Sequence, residues 1–369
     1  MKALGILNFE PYSINVRGIE EYRPISAASF LGRFRVLDFM ISNFTNSGID
    51  NLKVFIKNRP RSTVEHVHST NYNINAKRGK IHLLHGEKVY TNPIYNTDLA
   101  AFESNMSFIR EVNADLVIIA PSHFVYIQDF KKLIEEHLKK ENDITVLYHA
   151  VNDANQAYEL CDTLQINEEG RITAIARNSC KYKHRNISLE CYVMSRKLFM
   201  TLVERGRKTS SIYWLHDIIR DSIDDLKVGA YAHKGYVTCM NSLKAYLKAN
   251  LDLIKEENLN TLIKKDWTIY TMTNDSCPTL YEAGARAVSS IVGNGCDIAG
   301  DLENCVIGRG VKIGEGCKIK NTMILPGARI GDNVTIENAV IDRFANVTVD
   351  SVLIGEANDP LYVARGDKI

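Results

Sequence analysis

The sequence has 369 residues, more than one ordinary hydrophobic core accommodates, so two domains are expected. Its 45 basic and 44 acidic residues leave a net charge of +1, which gives no argument for a nucleic-acid or anionic-membrane partner. No apolar run is long enough to span a bilayer and no secretory signal is recognisable, so a cytoplasmic protein is expected. The eight cysteines are scattered without a CxxC pair, which fits a reducing compartment better than a disulfide framework.

Strand and helix patterns alternate through the first two-thirds of the chain. Residues 1–7 and 51–58 are predicted as buried strands, and the apolar run at 114–123 is typical of a central parallel strand. A helix with apolar residues at helical spacing is predicted at 129–140. Because such alternation builds doubly wound sheets, residues 1–260 are predicted to form a Rossmann-like α/β domain with a mostly parallel sheet and a linking helix at its end.

Two stretches of this domain depart from the simple pattern. After the first strand, a nucleotide-binding protein usually has a glycine-rich turn that holds phosphates. Here the sequence "NFEPYSINVR" has no glycine and introduces the anion Glu10. The polar stretch 59–96 is poorly periodic and is predicted to form loops that reach over the sheet edge.

The carboxyl-terminal part, residues 285–369, contains a repeat. Of eight successive steps between its regularly placed apolar residues, six are six residues long and two are five. This period is typical of a left-handed parallel β-helix, in which each face of a triangular coil takes one hexapeptide; a set of ordinary short strands is the alternative. The repeated residues are Ile307, Ile313, Ile319, Ile324, Ile330, Ile336, Ile341, Val347 and Leu353.

Four motifs give the whole chain a resemblance to glucose-1-phosphate adenylyltransferase (ADP-glucose pyrophosphorylase). The longest is "GRFRVLDFMISNFTNSGI" at 32–49, and the others are "HDIIRD" at 216–221, "ANLDLI" at 249–254 and the repeat at 311–333. The resemblance implies the nucleotidyltransferase fold described above. It also implies the reaction of ATP with glucose-1-phosphate to ADP-glucose and pyrophosphate in glycogen or starch synthesis, with Mg²⁺ at the phosphates.

The nucleotide-binding side of this family pattern is degraded in the present sequence. The family loop Gly-Gly-x-Gly-x-Arg-Leu is absent, and Asn15 stands near its arginine position. In the next motif, Arg-Ala-Lys-Pro, Arg23 matches the arginine but Ile25 replaces the lysine. The metal-binding aspartate of Gly-Asp-His is replaced by Ser122, whereas the second metal aspartate has a counterpart in Asp217.

The sugar side departs from the family as well. The family's Glu-Lys-Pro becomes Arg-Asn-Ser around Asn178, and its Gly-Tyr-Trp-x-Asp-Ile-Gly becomes "GYVTCMNSL" at 235–243. Together these losses resemble the degraded-site regulatory subunit that some bacteria carry beside a catalytic one. The resemblance implies no cofactor of the chain's own, Mg²⁺ in the catalytic partner, and a heterotetramer with that partner.

Four residues remain candidates for substrate or effector binding. Arg23 keeps the family position. Arg33 and Arg35 either bind a phosphorylated effector, since guanidinium groups suit phosphate, or pair with Asp38 or a helix end. Asp217 either retains metal binding or caps a helix.

Three functions are compared. The leading one is a regulatory, weakly catalytic or inactive subunit that assembles with an active homologue through the β-helix at 300–350 and the region 33–48. The second is an active nucleotidyltransferase with a rebuilt phosphate loop, which the loss of the aspartate at Ser122 disfavours. The third is a hexapeptide acyltransferase, disfavoured because the last histidine is His233, before the repeat, so that the β-helix has no general base.

Overall fold

A computed structural model describes residues 2–11, 14, 16–86 and 92–369, so the prediction at Asn15 lies outside the described residues. Thirteen strands of the described chain belong to the amino-terminal domain. In chain order, β1–β13 are Ala3–Asn8, Ser29–Phe30, Phe34–Arg35, Leu52–Ile56, Ile81–His85, Leu116–Pro121, Phe124–Val125, Ile144–Val151, Asp162–Ile166, Ile172–Arg177, Arg185–Ser195, Val228–Ala232 and Thr238–Cys239.

Nine of these strands form one mixed sheet. Its main path has the order β10-β9-β11-β6-β1-β4-β5, and β8 pairs with both β11 and β12. The central strands β6, β1, β4 and β5 are parallel, whereas β11 runs antiparallel to β6 and β8. Every residue of β6 is buried, as the apolar run predicted for a strand covered on both faces.

Nine α-helices of the described residues connect and cover this sheet. In chain order, α1–α9 are Val36–Asn46, Arg61–Ser69, Asp98–Ser104, Met106–Arg110, Phe130–Lys139, Arg196–Thr209, Leu215–Arg220, Leu243–Asp252 and Glu256–Leu262. The prediction of loops throughout 59–96 is wrong, because α2 and β5 lie inside that stretch. The described chain contains no helix that is both long and apolar enough to cross a membrane.

The carboxyl-terminal part is the predicted β-helix. Its strands form three five-stranded parallel sheets, one on each face of the coil. The repeated aliphatic residues are buried inside, except for Leu353, which is half-buried. The strands β14–β28 are Leu280–Tyr281, Arg286–Val288, Ile291–Val292, Asp297–Ile298, Asp301–Glu303, Val306–Ile307, Lys312–Ile313, Lys318–Lys320, Met323–Ile324, Arg329–Ile330, Thr335–Glu337, Ala339–Ile341, Asn346–Val347, Val352–Ile354 and Leu361–Val363.

A hydrophobic cluster with residues from both domains joins the two parts of the chain. The Arg23 guanidinium forms a buried ion pair with Asp342 of the β-helix, and the Tyr362 hydroxyl donates to the same carboxylate at 2.5 Å. Gly18, at φ +77°, lies so close to Tyr362 that a Cβ there would be 1.9 Å from the tyrosine ring. The cluster includes Val16, Ile19, Phe30, Tyr246, Leu247, Val306, Met323, Leu325 and Val340.

Candidate functional site

The carboxyl edge of the sheet is where a doubly wound fold places its ligand. Parallel strands β1, β4 and β6 end there side by side, and the residues that follow them are Phe9, Lys57 and Ser122. Because the three strands share one direction, their loops converge on the position where the family holds the nucleotide's phosphates.

Glu10 occupies this position with its own carboxylate. The side chain is buried, and the Ser122 hydroxyl donates to its Oε2 at 3.3 Å. The Lys57 ammonium donates to the Glu10 carbonyl oxygen at 3.3 Å. Burial raises the pKa of Glu10, while the positive charge of Lys57 opposes this rise. The serine that replaces a metal ligand is therefore the hydrogen-bond partner of an inserted acid.

A second acid lies beside the first. Glu20 accepts a hydrogen bond from the Val16 backbone N–H at 2.8 Å. Burial and the neighbouring Glu10 charge raise the pKa of Glu20 to about 7. Two acidic groups at this edge contrast with the positive surroundings that phosphate binding needs.

A small cavity lies next to Lys57 at this edge. Its volume is about 20 Å³, which is room for about one water molecule, and Glu10, Glu20 and Ser122 are not among the residues that line it. Its walls include Phe9, Lys57, Asn58 and Thr97.

Ile25, which replaces the family's lysine, is fully buried. It belongs to the hydrophobic cluster between the domains. A lysine at this place would have to bury its ammonium group in an apolar environment, which is costly without a partner. The isoleucine therefore has a packing role in this chain.

On the sugar side, the replacements also have structural roles. The Asn178 amide donates to the carbonyl oxygens of Ala154, Ala157 and Tyr158 at 2.9–3.2 Å, and so holds the loop before β9. The Arg177 guanidinium lies 3.3 Å from Asp162 and 2.7 Å from the His216 ring. Both replacements are therefore held by contacts within the protein.

Asp217 caps helix α7. Its Oδ2 accepts from the Trp214 backbone N–H at 3.0 Å, and its Oδ1 accepts from Arg220 at 2.8 Å. Of the two alternatives from the sequence, the geometry matches the cap. Ser122 offers no carboxylate at the position of the other aspartate, and both carboxylate oxygens of Asp217 already accept hydrogen bonds within the chain.

Sequence reasoning missed Glu190 and His123. Glu190 has φ +49° at an irregularity of β11, and its Oε2 lies 4.0 Å from the Nε2 of His123. Burial and nearby Asp162 raise the pKa of Glu190 to about 8, and burial lowers the pKa of His123 to about 3. A glutamate in the apolar run "NISLECYVM" was the available signal. Strained backbone and perturbed acids of this kind concentrate at functional sites.

A second candidate site lies between the domains. It is a cavity of about 260 Å³ with arginines from both parts of the chain in its walls. Arg33 and Arg35, the sequence candidates, lie here with Arg309 and Arg343 of the β-helix. The third candidate, Arg23, is not among the residues that line this cavity, because it pairs with Asp342.

The arginines of this cavity, Arg33, Arg35, Arg309 and Arg343, repel one another. Burial and the charges of Arg343 and Arg23 lower the pKa of Arg35 to about 10. Burial and neighbouring arginines lower the pKa of Arg309 and of Arg343 as well. The Arg343 Nε is buried and has no hydrogen-bond partner among the described residues. An anion in this cavity would relieve the repulsion and satisfy that donor.

Asp38 organises the wall of the same cavity. Its Oδ2 accepts the Arg35 backbone N–H at 2.8 Å, while its Oδ1 lies 2.6 Å from both the His66 ring and the Tyr72 hydroxyl. The Arg35 guanidinium instead donates to the Ala27 carbonyl oxygen and the Ser29 hydroxyl. The predicted Arg35–Asp38 contact is therefore made by the backbone and leaves the guanidinium in the cavity.

Comparison with known proteins agrees with this architecture. Residues 22–176 match the sequence model of the family described as Nucleotidyl transferase, and residues 279–360 match the one described as GlmU-like, C-terminal hexapeptide. Proteins named glucose-1-phosphate adenylyltransferase from Bacillus cytotoxicus, Bacillus thuringiensis and Bacillus cereus are 27%, 26% and 26% identical over 92% of both chains. The chain thus joins a nucleotidyltransferase domain to a hexapeptide β-helix, and it is similar to these adenylyltransferases along nearly its whole length.

Proposed function

We propose that this chain is a regulatory, weakly catalytic or inactive subunit of glucose-1-phosphate adenylyltransferase in glycogen biosynthesis. It acts by assembling with a catalytic homologue that carries the intact phosphate loop and Mg²⁺ site. The similarity to proteins of that name supports the reaction, and the state of the chain's own nucleotide edge supports the regulatory role.

The contact between Glu10 and Ser122 carries the proposal. Transfer of an adenylyl group needs positive charge and donors around the phosphates, because catalysis here is positioning and electrostatic stabilisation. This chain instead has the buried carboxylate of Glu10 there, and Ser122, which replaces the family's metal-binding aspartate, donates a hydrogen bond to it. Loss of one electrostatic donor alone costs on the order of 10²–10³ in rate, and here a metal ligand and the glycine loop are both missing.

The β-helix offers the surface for assembly. Its last complete coil exposes Val352 and Ile354 on β27 and Phe344 before β26, each more than half accessible. Helix α1, in contrast, is buried within its own domain from Val36 to Phe44, so the region 33–48 contributes little free surface. Partner contacts are accordingly proposed for the 300–350 region and the coil that follows it.

A phosphorylated effector is proposed for the arginine cavity between the domains. Its lining comes from both Arg33 and Arg35 of the α/β domain and Arg309 and Arg343 of the β-helix. An anion held there would bridge the catalytic-type domain to the assembly domain. Such a bridge couples effector binding to subunit contacts, and a coupling of about 1–3 kcal/mol changes affinity five-fold to 150-fold.

The test mixes the purified chain with its catalytic homologue. Alone, the chain is expected to make ADP-glucose at least about a hundred times more slowly than the homologue. The mixture is expected to form a hetero-oligomer, a tetramer by the family resemblance, with raised activity or a changed response to phosphorylated effectors. Light scattering of the mixture measures assembly beside an activity titration.

Two variants sharpen this test. Ile354→Asp puts a charge on the exposed coil and should weaken assembly, while Arg309→Ala should alter the effector response and leave assembly intact. A turnover number equal to that of the homologue would show an active enzyme with a rebuilt loop. Separate migration of the two chains at micromolar concentration, with unchanged kinetics of the homologue, would refute the regulatory role.

A further inference from the structure

A large open cavity lies at the opposite edge of the sheet from Glu10 and Ser122. It has a volume of about 1070 Å³ and is found where β1, β4 and β5 begin. Helices α4 and α5 and the turn that follows α1 supply its other walls. The cavity is separate from the nucleotide edge and from the arginine cavity between the domains, with which it shares no lining residue.

Positive side chains dominate the lining of this cavity. Six cations face three carboxylates, a local excess of three charges in a chain whose net charge is only +1. Among the described residues, none of the six cations forms an ion pair within 4.0 Å, so their charges remain available to a ligand. The cations are Lys2, Lys53, Lys77, Arg78, Lys80 and Lys131, and the carboxylates are Asp50, Glu111 and Glu135.

Lys53 distinguishes this cavity from an ordinary solvated surface, because its side chain is buried. The residue is only 2% exposed, yet its ammonium group faces no carboxylate within ion-pair distance. Instead, Nζ lies 3.0 Å from Nδ1 of His82 and 5.7 Å from the centre of the Phe108 ring. Nδ1 of His82 can accept this hydrogen bond only when it is unprotonated, and the ammonium group then keeps its other N–H donors for a ligand. Burying a cation without a counter-ion is costly unless another anion offsets it.

We propose that this cavity, hereafter the amino-edge site, binds a small ligand with two or more phosphate charges. Lysines offer point charges to phosphate oxygens, and Arg78 adds a guanidinium fork. Phe108, which is 41% exposed at the cavity wall, provides an apolar face for the organic part of such a ligand. The amino-edge site is independent of the regulatory-subunit proposal, since no residue of the nucleotide edge takes part.

Calorimetric titration of the full chain with metal-free pyrophosphate tests the amino-edge site. Inorganic phosphate and tripolyphosphate serve as the shorter and longer probes. Binding is expected to strengthen with chain length and to weaken as salt is added, because the attraction is between exposed charges.

Charge reversal locates the binding. The double variant Lys77→Glu/Lys80→Glu changes two exposed residues of the site and should lower pyrophosphate affinity by at least about tenfold. The matched control, Lys132→Glu/Lys139→Glu, changes two exposed lysines of α5 that do not line the cavity and should change it less than about twofold. Lys53→Met, accepted only if its circular dichroism is native, should weaken binding as well.

Several results would overturn the proposal. The first is the absence of saturable binding at millimolar pyrophosphate. The second is equal weakening in the Lys77/Lys80 and Lys132/Lys139 variants, which would indicate a general charge effect. The third is loss of binding in Arg309→Ala alone, which would assign pyrophosphate to the cavity between the domains. Binding of a short RNA without any binding of pyrophosphate would likewise exclude a small-ligand site.

Discussion

At the scale of single residues, the replaced residues of the nucleotide edge have structural partners. Ser122 donates to Glu10 and Ile25 fills the cluster between the domains, while the retained Asp217 caps a helix. The fit is incomplete, because both ring nitrogens of the neighbouring His123 are buried without a hydrogen-bond partner among the described residues. Restoring the aspartate at Ser122 would nevertheless conflict with its buried neighbour Glu10.

Ser122→Asp tests this interdependence. The new carboxylate would face buried Glu10, so we expect a loss of stability on the order of 1–3 kcal/mol and no recovery of adenylyltransferase activity. The loss should grow as pH rises from about 4, because two adjacent buried acids cannot both ionise without cost. Urea unfolding at several pH values measures it.

The control for this prediction is the double variant Glu10→Gln/Ser122→Asp. It removes the like charge while keeping the shape of the side chain, and it should recover much of the lost stability. If Ser122→Asp is as stable as the parent and the second substitution changes nothing, the two side chains do not interact as described.

The substitution Glu190→Gln should change how the free energy of unfolding depends on pH. The Glu190 carboxyl has an ordinary value of 4.5 and a folded pKa of about 8, so between these values the folded chain keeps a proton that the unfolded chain has lost. Stability from this group is therefore full below about pH 4.5 and falls as pH rises to about 8. Glutamine avoids that loss, and the variant should be about equal to the parent near pH 5 but more stable by roughly 1–3 kcal/mol near pH 9. A difference that does not vary with pH contradicts this assignment.

At the scale of elements, sequence patterns predicted what is periodic and missed what is local. The hexapeptide spacing predicted the β-helix because one buried aliphatic residue per step leaves a regular trace. Helix α2 was missed because only Thr63, His66 and Val67 of its nine residues are buried, which is too little for a clear stripe. Comparison with the family's two metal-binding aspartates, at Ser122 and Asp217, indicated that the nucleotide edge is degraded. The arginine cavity was found only in part, because Arg309 and Arg343 lie in the repeat, 276 and 310 residues after Arg33, where no local pattern links them.

The β-helix allows a direct test of which repeat positions stabilise it. Ile324 is fully buried inside the coil, so Ile324→Ala should cost about 2–5 kcal/mol through the cavity it leaves. Val352→Ala on the exposed side of the last coil should change stability by less than about 0.5 kcal/mol. Thermal unfolding followed by circular dichroism compares the two variants, and similar melting temperatures would contradict the observed orientation of these side chains.

At the scale of the whole molecule, a continuous apolar cluster joins the two domains. The same junction contains the buried Arg23–Asp342 pair and the close contact of Gly18 with Tyr362. The arginine cavity opens beside it. A ligand in that cavity therefore contacts both domains at a boundary that is already well packed.

The Arg23–Asp342 pair should couple the stability of the two domains. Arg23→Met or Asp342→Asn alone leaves one partner buried without its counter-charge, and each should cost about 3–5 kcal/mol. The double variant should cost less than the sum, by about 0.5–3 kcal/mol, because the partners lose one shared interaction.

Urea unfolding of the three variants measures this, with Arg17→Met as the control. Arg17 lies 3.9 Å from Asp359 with both side chains exposed, and its loss should cost less than about 1 kcal/mol. Strict additivity would argue against a direct pair.

The same pair has a consequence for synthesis on the ribosome. Arg23 and Asp342 are separated by 319 positions, so at a translation rate of about 5–20 residues per second the arginine is made roughly 16–64 s before its partner. The amino-terminal segment around Arg23 cannot take its final buried position in that interval without an uncompensated charge. The segment around Arg23 therefore reaches its final buried position only after the last coils of the β-helix have left the exit tunnel.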